Sequence, residues 1–410
     1  MLVRTLFKLS AFAAAALAVT AQSAFADSAS TKGGLTIKSD DGRFEATVGG
    51  RIHFDGALLN TDSNQTANNE NSGFYFRRVF ITLKGKAYGW GYQIDEDISS
   101  TSSPGAGFND VWLNKSFGDN TVYFGQHKPW RSLDELASNN DVVFLERNVL
   151  SANGLFGGRD YTDGVYYKYA ADGLWAGASF YSQTKVSKGN TQGAGGNVRL
   201  AYAPINEEGK VLHVGATYSE DQFDLVAGNA GFGAPTAGYS TSYSKVGASY
   251  NVFAFANTAG AAGTAKADTF TVEALGVVGP VFLQGEYGKA KFKRRGDAAN
   301  GQSVDAYSVT ASWYVTGESK VYKAGDGSYG AAKPKDVDGA VEVAVRYDAT
   351  KNKDTDAKVD ALTFGVNYYV NPNVRFMVDY SLSKLDGVAG VTAGQTAKPK
   401  ALMARAQIAF

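Results

Sequence analysis

From Arg43 onward, apolar and polar positions alternate. In the run Arg43 to Asp55, Phe44, Ala46, Val48, Gly50, Ile52 and Phe54 share one parity, and Arg43, Glu45, Thr47, Gly49, Arg51, His53 and Asp55 share the other. A period of two sustained this long exceeds an ordinary globular strand and matches a tilted strand that crosses a bilayer. The pattern returns throughout the chain. Val79, Ile81 and Leu83 oppose Arg78, Thr82 and Lys84; Val165, Tyr167 and Tyr169 oppose Tyr166 and Lys168; Val198, Leu200 and Tyr202 oppose Arg199. Farther on, Val341, Val343, Val345 and Tyr347 oppose Glu342 and Arg346, while Val374, Phe376, Val378 and Tyr380 oppose Arg375 and Asp379.

Alternation alone fits either a soluble sandwich or a membrane barrel, because the two differ only in which face meets water. Two features favour the barrel. Aromatic residues stand at strand ends (Tyr169, Tyr202, Tyr218, Tyr287, Trp313, Tyr347, Tyr380), where membrane interfaces place them. The last strand, Leu402, Ala404, Ala406, Ile408 and Phe410, closes on an aromatic residue and resembles the sorting signal of outer-membrane barrels.

Connections alternate in length. Ala87–Gly91, Gly118–Thr121, Ala170–Gly173, Pro204–Lys210, Val278–Val281 and Asn371–Val374 are short; 56–73, 99–109, 128–162, 182–196, 219–267, 288–303, 348–358 and 381–400 are long and polar. Tight turns on one side and long loops on the other are the barrel arrangement. Seventeen strand candidates conflict with the even number of a single-chain bacterial barrel. The tight turn Val278-Gly279-Pro280 belongs on the periplasmic side, so the candidate at 241–251 is surplus and falls inside the loop 219–267. The prediction is an all-β fold: a 16-stranded antiparallel transmembrane β-barrel with long extracellular loops, wide enough to hold a channel.

The N-terminus changes the boundaries. Arg4 and Lys8, the apolar run from Leu9 to Val19 and Ala24-Phe25-Ala26 form the three parts of a secretory signal peptide. Residues 1–26 are therefore expected to be cleaved, leaving one barrel domain over 27–410 in the outer membrane of a Gram-negative bacterium. Without Arg4 and Lys8 the 40 basic residues fall to 38, against 40 acidic. That balance offers no general attraction to nucleic acid. There is no cysteine, and three histidines (His53, His127, His213) on separate strands suggest neither a zinc site nor a hydrolase triad. No enzyme activity and no cofactor are expected.

The loop 128–162 stands apart. It opens Lys128-Pro129-Trp130-Arg131 and carries Leu133, Leu136, Val142, Val143, Phe144, Leu145, Val149 and Leu150. A loop in free solvent has no use for eight large apolar residues, so this third loop is expected to fold inward and narrow the lumen, the alternative being an external loop packed on a neighbouring subunit.

Three segments resemble the phosphate-selective porin O and P family. They are Gly50-Arg51 with Phe76-Arg77-Arg78-Val79-Phe80; Phe124-Gly125-Gln126-His127-Lys128-Pro129 with Leu133-Asp134-Glu135-Leu136 and Leu145-Glu146-Arg147; and Ala311-Ser312-Trp313-Tyr314-Val315-Thr316-Gly317-Glu318-Ser319-Lys320. The resemblance implies a trimeric sixteen-stranded porin passing phosphate and similar small hydrophilic anions. The charge tally does not single out anions. Lumenal parity holds Arg43, Arg51, Arg78, Lys84, Lys86, Lys168, Arg199, Arg346, Arg375 and Arg405 against Glu45, Asp55, Asp95, Asp97, Asp110, Glu273, Glu286, Glu342, Asp348 and Asp379. The third loop adds Lys128, Arg131, Arg147 and Arg159 among five acids. Anion selectivity then requires the acids to be paired off or held on a separate wall. The expected pore residues are Lys128, Arg131, Arg147, Arg159, Arg51, Arg78, Lys84, Lys168, Arg199, Arg346 and Arg375. The run Lys291, Lys293, Arg294, Arg295 reads as an external loop, either solvated or set to meet lipopolysaccharide phosphates. A general or cation-leaning porin and a structural or adhesive outer-membrane surface protein are the alternative readings.

Overall fold

The computed structural model describes residues 34–66, 72–99, 107–152, 155, 156, 161–183, 193–225, 249–254, 263–294, 300–335 and 338–410, with backbone alone at 28–30, 224, 225, 237–240 and 249. The expected signal peptide, Arg159 and Arg295 lie outside the described residues. Sixteen antiparallel strands form the wall. In chain order they are β1 (Phe44–Asn60), β2 (Gly73–Ala87), β3 (Trp90–Asp97), β4 (Gly107–Phe117), β5 (Asn120–His127), β6 (Thr162–Ala171), β7 (Leu174–Ser182) and β8 (Ala194–Glu207). Then follow β9 (Lys210–Leu225), β10 (Gly263–Val278), β11 (Val281–Lys293), β12 (Ser303–Tyr314), β13 (Ala340–Asn352), β14 (Lys358–Tyr369), β15 (Val374–Asp386) and β16 (Lys400–Ala409). Each pairs with the next, and β16 pairs back onto β1 from Lys400↔Asn60 to Ala409↔Arg51, so the sheet has no open seam there. Short strands before β1, Ser28–Ser30 and Leu35–Lys38, continue the sheet beside the first residues of β1.

The tight connections follow from local chemistry. Tyr88-Gly89 and Asp172-Gly173 both take two successive positive φ angles, the mirror-image turn whose twist matches the flanking strands. The seam needs a glycine for a different reason. Gly50 exchanges backbone hydrogen bonds with Phe410, at 2.7 and 3.0 Å. A Cβ there would lie 2.4 Å from the Phe80 carbonyl oxygen and 3.0 Å from the Phe410 ring.

Large apolar residues face outward and stay exposed: Leu200, Phe180, Val309 and Val366, with Tyr218, Phe270, Tyr287, Tyr307, Tyr347 and Tyr380 toward the long-loop end and Tyr202, Trp313 and Tyr368 toward the short-turn end. In water such a surface would drive aggregation; in a bilayer it is the lipid-facing band between two aromatic girdles. Inward positions carry the polar partners. Toward the long-loop end of β9–β16, however, the inner face turns apolar (Phe223, Ala265, Phe292, Val304, Val359, Leu385) and packs against Tyr250, Val252 and Phe253. Those three belong to Ser249–Phe253, which pairs with Ala237–Ser240 in a sheet of its own. The described end of the surplus candidate, 249–251, thus lies in a paired segment outside the wall, and 241–248 fall outside the described residues. The loop around it is shorter than 219–267, since β9 and β10 extend into that range.

Two departures from the expected pattern matter for the lumen. Strand β2 contains a β-bulge: His53 opposes Arg78 and Phe54 opposes Phe76, leaving Arg77 as the extra residue. Both arginines therefore serve the interior. The second departure is the connection 315–339, which is absent from the expected short turns and yet lies at their end. It carries a small hairpin, Val321–Lys323 paired with Ser328–Gly330 around a 3-10 turn at Ala324–Asp326. This hairpin folds into the barrel.

Candidate functional site

The third loop leaves β5 at His127 and travels along the inner wall. Asn197 on β8 donates to the Trp130 carbonyl at 2.6 Å, and Arg131 clasps Asp221 on β9 at 2.8 and 2.9 Å. Glu286 on β11 then gathers the next turn, accepting from Ser132 Oγ (2.7 Å), Leu133 N (3.0 Å), Asp134 N (3.1 Å) and Asn148 Nδ2 (2.7 Å). Val149 N donates to Asp348 on β13, and Leu145 N to Asp379 on β15. Arg375 and Asn367 donate to the carbonyls of Val142 and Val143. Seven of the eight large apolar residues of the loop are buried, Leu136 being the half-buried exception. Buried backbone groups must find partners, and here the wall supplies them.

The loop ends its traverse at Glu146. Arg77 grips this carboxylate with two N–H groups, one at 2.8 Å, and Arg405 approaches to 3.7 Å. Burial alone would raise its pKa. Arg77, Arg78 and Arg405 together outweigh burial and hold the carboxyl down at about 2.

The hairpin of 315–339 meets the loop from the other end. Tyr329 donates to Asp134 at 2.9 Å, Ser328 to the Leu133 carbonyl at 3.4 Å, and Lys323 pairs with Asp141. Its far side is held by Tyr322 with His213 (2.8 Å) and by Arg199 on the Gly327 carbonyl (2.6 Å). Lys320 is buried beside Glu342 at 3.5 Å, over the rings of Phe282, Tyr314 and Tyr329; burial lowers its pKa against the pull of Glu342.

Loop and hairpin cover the wall from β8 round to β16. Open space remains against β1–β6. It is a cavity of about 580 Å³ lined by Arg51, Lys84, Asp95, Asp110, Trp112, Tyr123, Lys128, Glu135, Arg147, Lys168, Lys323 and Asp326, among others.

The family model for phosphate-selective porin O and P matches residues 46–410. The chain belongs to the phosphate-selective porin O and P family. Porin O of Pseudomonas aeruginosa is 30% identical over 92% of this chain and 93% of its own length. Among solved structures, an anion-selective porin from Comamonas acidovorans superposes with a TM-score of 0.56 at 16% identity, covering 89% of this chain and 99% of its own. The outer membrane channel DcaP of Acinetobacter baumannii gives 0.56 at 13% identity, covering 91% and 99%. At these identities the two structures support the fold. The chain is an outer-membrane porin, a channel and not an enzyme.

In this porin nine of the expected pore residues divide into two groups, with Arg78 in neither and Arg159 outside the described residues. Arg51, Lys84, Lys128, Arg147 and Lys168 line the cavity. Arg131, Arg199, Arg346 and Arg375 do not; they are at most 2% exposed beneath the loop or hairpin. Arg131 holds Asp221, Arg199 holds Glu273 at 3.0 Å, and Arg346 holds Asp348 at 2.7 Å. Arg375 spends its N–H groups on loop carbonyls. These four are corrected from wall charges to fastenings, because lumenal parity says only that a side chain points inward, not what covers it. Arg78 is 8% exposed, and its side chain makes no ion pair or hydrogen bond with a described residue. Lys84 stands exposed in the cavity with no partner among the described residues. Arg77 and the hairpin lysine Lys323 escaped the parity rule. The first had a readable sign: outward Phe74 and Phe76 are even-numbered, whereas Val79, Ile81 and Leu83 are odd, a parity change that marks the bulge.

Proposed function

We propose that this porin conducts small anions, with phosphate as the fitting ligand, along the uncovered wall of β1–β6. The observation that carries the reading is the sorting of charges. Setting the buried pairs aside removes four cations and four acids of lumenal parity alike (Arg199, Arg346, Arg375 and Arg405 with Glu273, Asp348, Glu342 and Asp55), so the cationic excess belongs to the cavity lining alone. The cavity lining keeps six cationic side chains (Arg51, Lys84, Lys128, Arg147, Lys168, Lys323) against four carboxylates (Asp95, Asp110, Glu135, Asp326). Three of the six are paired closely, Lys128 and Arg147 with Glu135 and Lys323 with Asp141; the other three are available, Arg51 lying 4.0 Å from Asp95, Lys168 3.6 Å from Asp326, and Lys84 without a partner among the described residues. A cationic wall of many weak sites lowers the cost of stripping water from an entering anion and still lets it leave.

The same reading includes removal of residues 1–26 on export and assembly as a homotrimer. It also includes contact of the outward face with outer-membrane lipid, lipopolysaccharide among them. The test is single-channel reversal potential under a KCl gradient, repeated with added phosphate. An anion-sided reversal, with phosphate lowering the chloride current, supports the reading; a cation-sided reversal overturns the anion assignment and leaves the pore.

A further inference from the structure

The outward face of the barrel divides in a way that the lumen does not explain. Toward the long-loop end of β1–β8, outward positions are Phe54, Leu58, Phe74, Phe76, Phe108, Phe180 and Val198, with Glu96 and Asp163 the charges; no lysine or arginine stands there among the described residues. On β10–β16 the same level is dense in lysine: Lys266, Lys289, Lys291, Lys293, Lys351, Lys358, Lys384 and Lys400. Two of the four residues of the expected external run, Lys291 and Lys293, are thus strand, since β11 extends through Lys293.

On β11 the odd positions Tyr287, Lys289, Lys291 and Lys293 are exposed, and the even positions between them are buried. Lys289 therefore follows Tyr287, which pairs with Tyr307, and stands directly across from Phe270 at the edge of the aromatic girdle. Aromatic girdles mark the boundary between acyl chains and headgroups, and each second residue climbs only about 7 Å along a strand. Most lysines of this belt are already paired: Lys293 with Asp268, Lys266 with Glu220 at 2.9 Å, Lys358 with Asp360 at 2.8 Å and Lys384 with Asp386 at 3.0 Å. The side chains of Lys289 and Lys291 make no ion pair or hydrogen bond with described residues, and Asp268, the cross-strand neighbour of Lys291, is held by Lys293. Asp305, the cross-strand neighbour of Lys289, is taken by Lys353 at 3.1 Å.

We infer that Lys289 and Lys291 form a docking site for a phosphorylated lipid of the outer leaflet, its acyl chains lying on Phe270, Tyr287 and Tyr307 and its phosphate between the two ammonium groups. A lysine is a mobile point charge suited to phosphate on a fluctuating lipid. Two unneutralised lysines at headgroup height call for an anion that the lipid supplies and this chain does not. The site deepens the lipid contact proposed above and is independent of the lumen.

The test uses the full porin extracted in detergent, with diphosphoryl lipid A as probe and native mass spectrometry as readout. The variant Lys289→Gln with Lys291→Gln is expected to lower lipid A occupancy roughly tenfold, while Lys289→Arg with Lys291→Arg retains it. Conductance and reversal potential should remain those of the unchanged porin, which separates failure of this site from failure of the porin reading. Equal occupancy in the glutamine variant overturns the proposal, as does equal occupancy by dephosphorylated lipid A. A fall in phosphate current with lipid A still bound also overturns it, because the lysines would then collect free anions for the pore mouth.

Discussion

Along β8–β16 the inner wall is rich in arginine and carboxylate, and almost none of that charge meets water: Arg199, Arg346, Arg375 and Arg405 are each at most 2% exposed, fastened to acids or loop carbonyls. Along β1–β6 the same residue types stand around open space, with Arg51 and Lys84 facing the cavity. The difference lies in what lies over them. Where a loop covers the wall, a charge must be neutralised, and removing one partner strands the other. Where the wall is uncovered, water screens the charge and leaves it available to a passing ion. Position in the sequence pattern is the same in both; the lid assigns the role.

The largest expected effect breaks the covered side. Glu146→Gln strands Arg77 beside Arg78 and Arg405 and should cost about 3–5 kcal/mol, read as a lower unfolding temperature together with a larger, noisier conductance as the third loop lifts. If the conductance stays narrow, Glu146 is not the clasp. Next, Arg51→Glu with Lys84→Glu on the open side should lower the anion-to-cation permeability ratio at least roughly tenfold, since a charge about 8 Å from the ion path is worth about 2 kcal/mol at an effective dielectric near 20. Arg346→Gln on the covered side should leave that ratio alone and reduce thermal stability instead; the opposite result would erase the distinction between the walls.

A smaller effect comes from pH. Because the carboxyl of Glu146 sits below its ordinary value, its contribution is complete above about 4.5 and fades as pH falls toward about 2. Thermal stability should therefore decline across that window in the unaltered porin and decline less in Glu146→Gln. The finest contrast lies within the loop. Lys128→Glu, at the cavity, should shift selectivity modestly toward cations, whereas Arg131→Glu, facing Asp221, should destabilise with no selectivity change of its own. Equal selectivity shifts from both would place Arg131 in the ion path.

Much of this architecture is legible in the sequence because a strand has a strict period of two and a membrane punishes any error in it. The sixteen strands and the lipid face follow from that, whereas the expectation of an inward third loop rests on its eight large apolar residues. Which arginines touch the permeating ion does not, since parity gives direction and not cover. The hairpin of 315–339 was hidden for a related reason: its segment Thr316 to Lys320 is polar, as a solvent turn would be, and the hairpin's burial depends on partners 109 and 195 residues away, His213 for Tyr322 and Asp134 for Tyr329. The Arg77–Arg78 bulge was readable, but only by noticing that the apolar parity changes across it.

The pairing of β16 with β1 also bears on the order of folding. Asp55 and Arg405, joined by two hydrogen bonds of 2.7 Å, are 350 residues apart in the chain. Every other neighbouring pair of strands can zip locally as a hairpin or across one loop, but this one must wait for nearly the whole polypeptide to arrive. Closing so long a loop carries the greatest entropic penalty in the molecule, and until it closes two strand edges remain open to other chains. The Asp55–Arg405 clasp and the Gly50–Phe410 exchange are accordingly among the last contacts to form. A chaperone guarding the nascent barrel would have to shield those two edges longest.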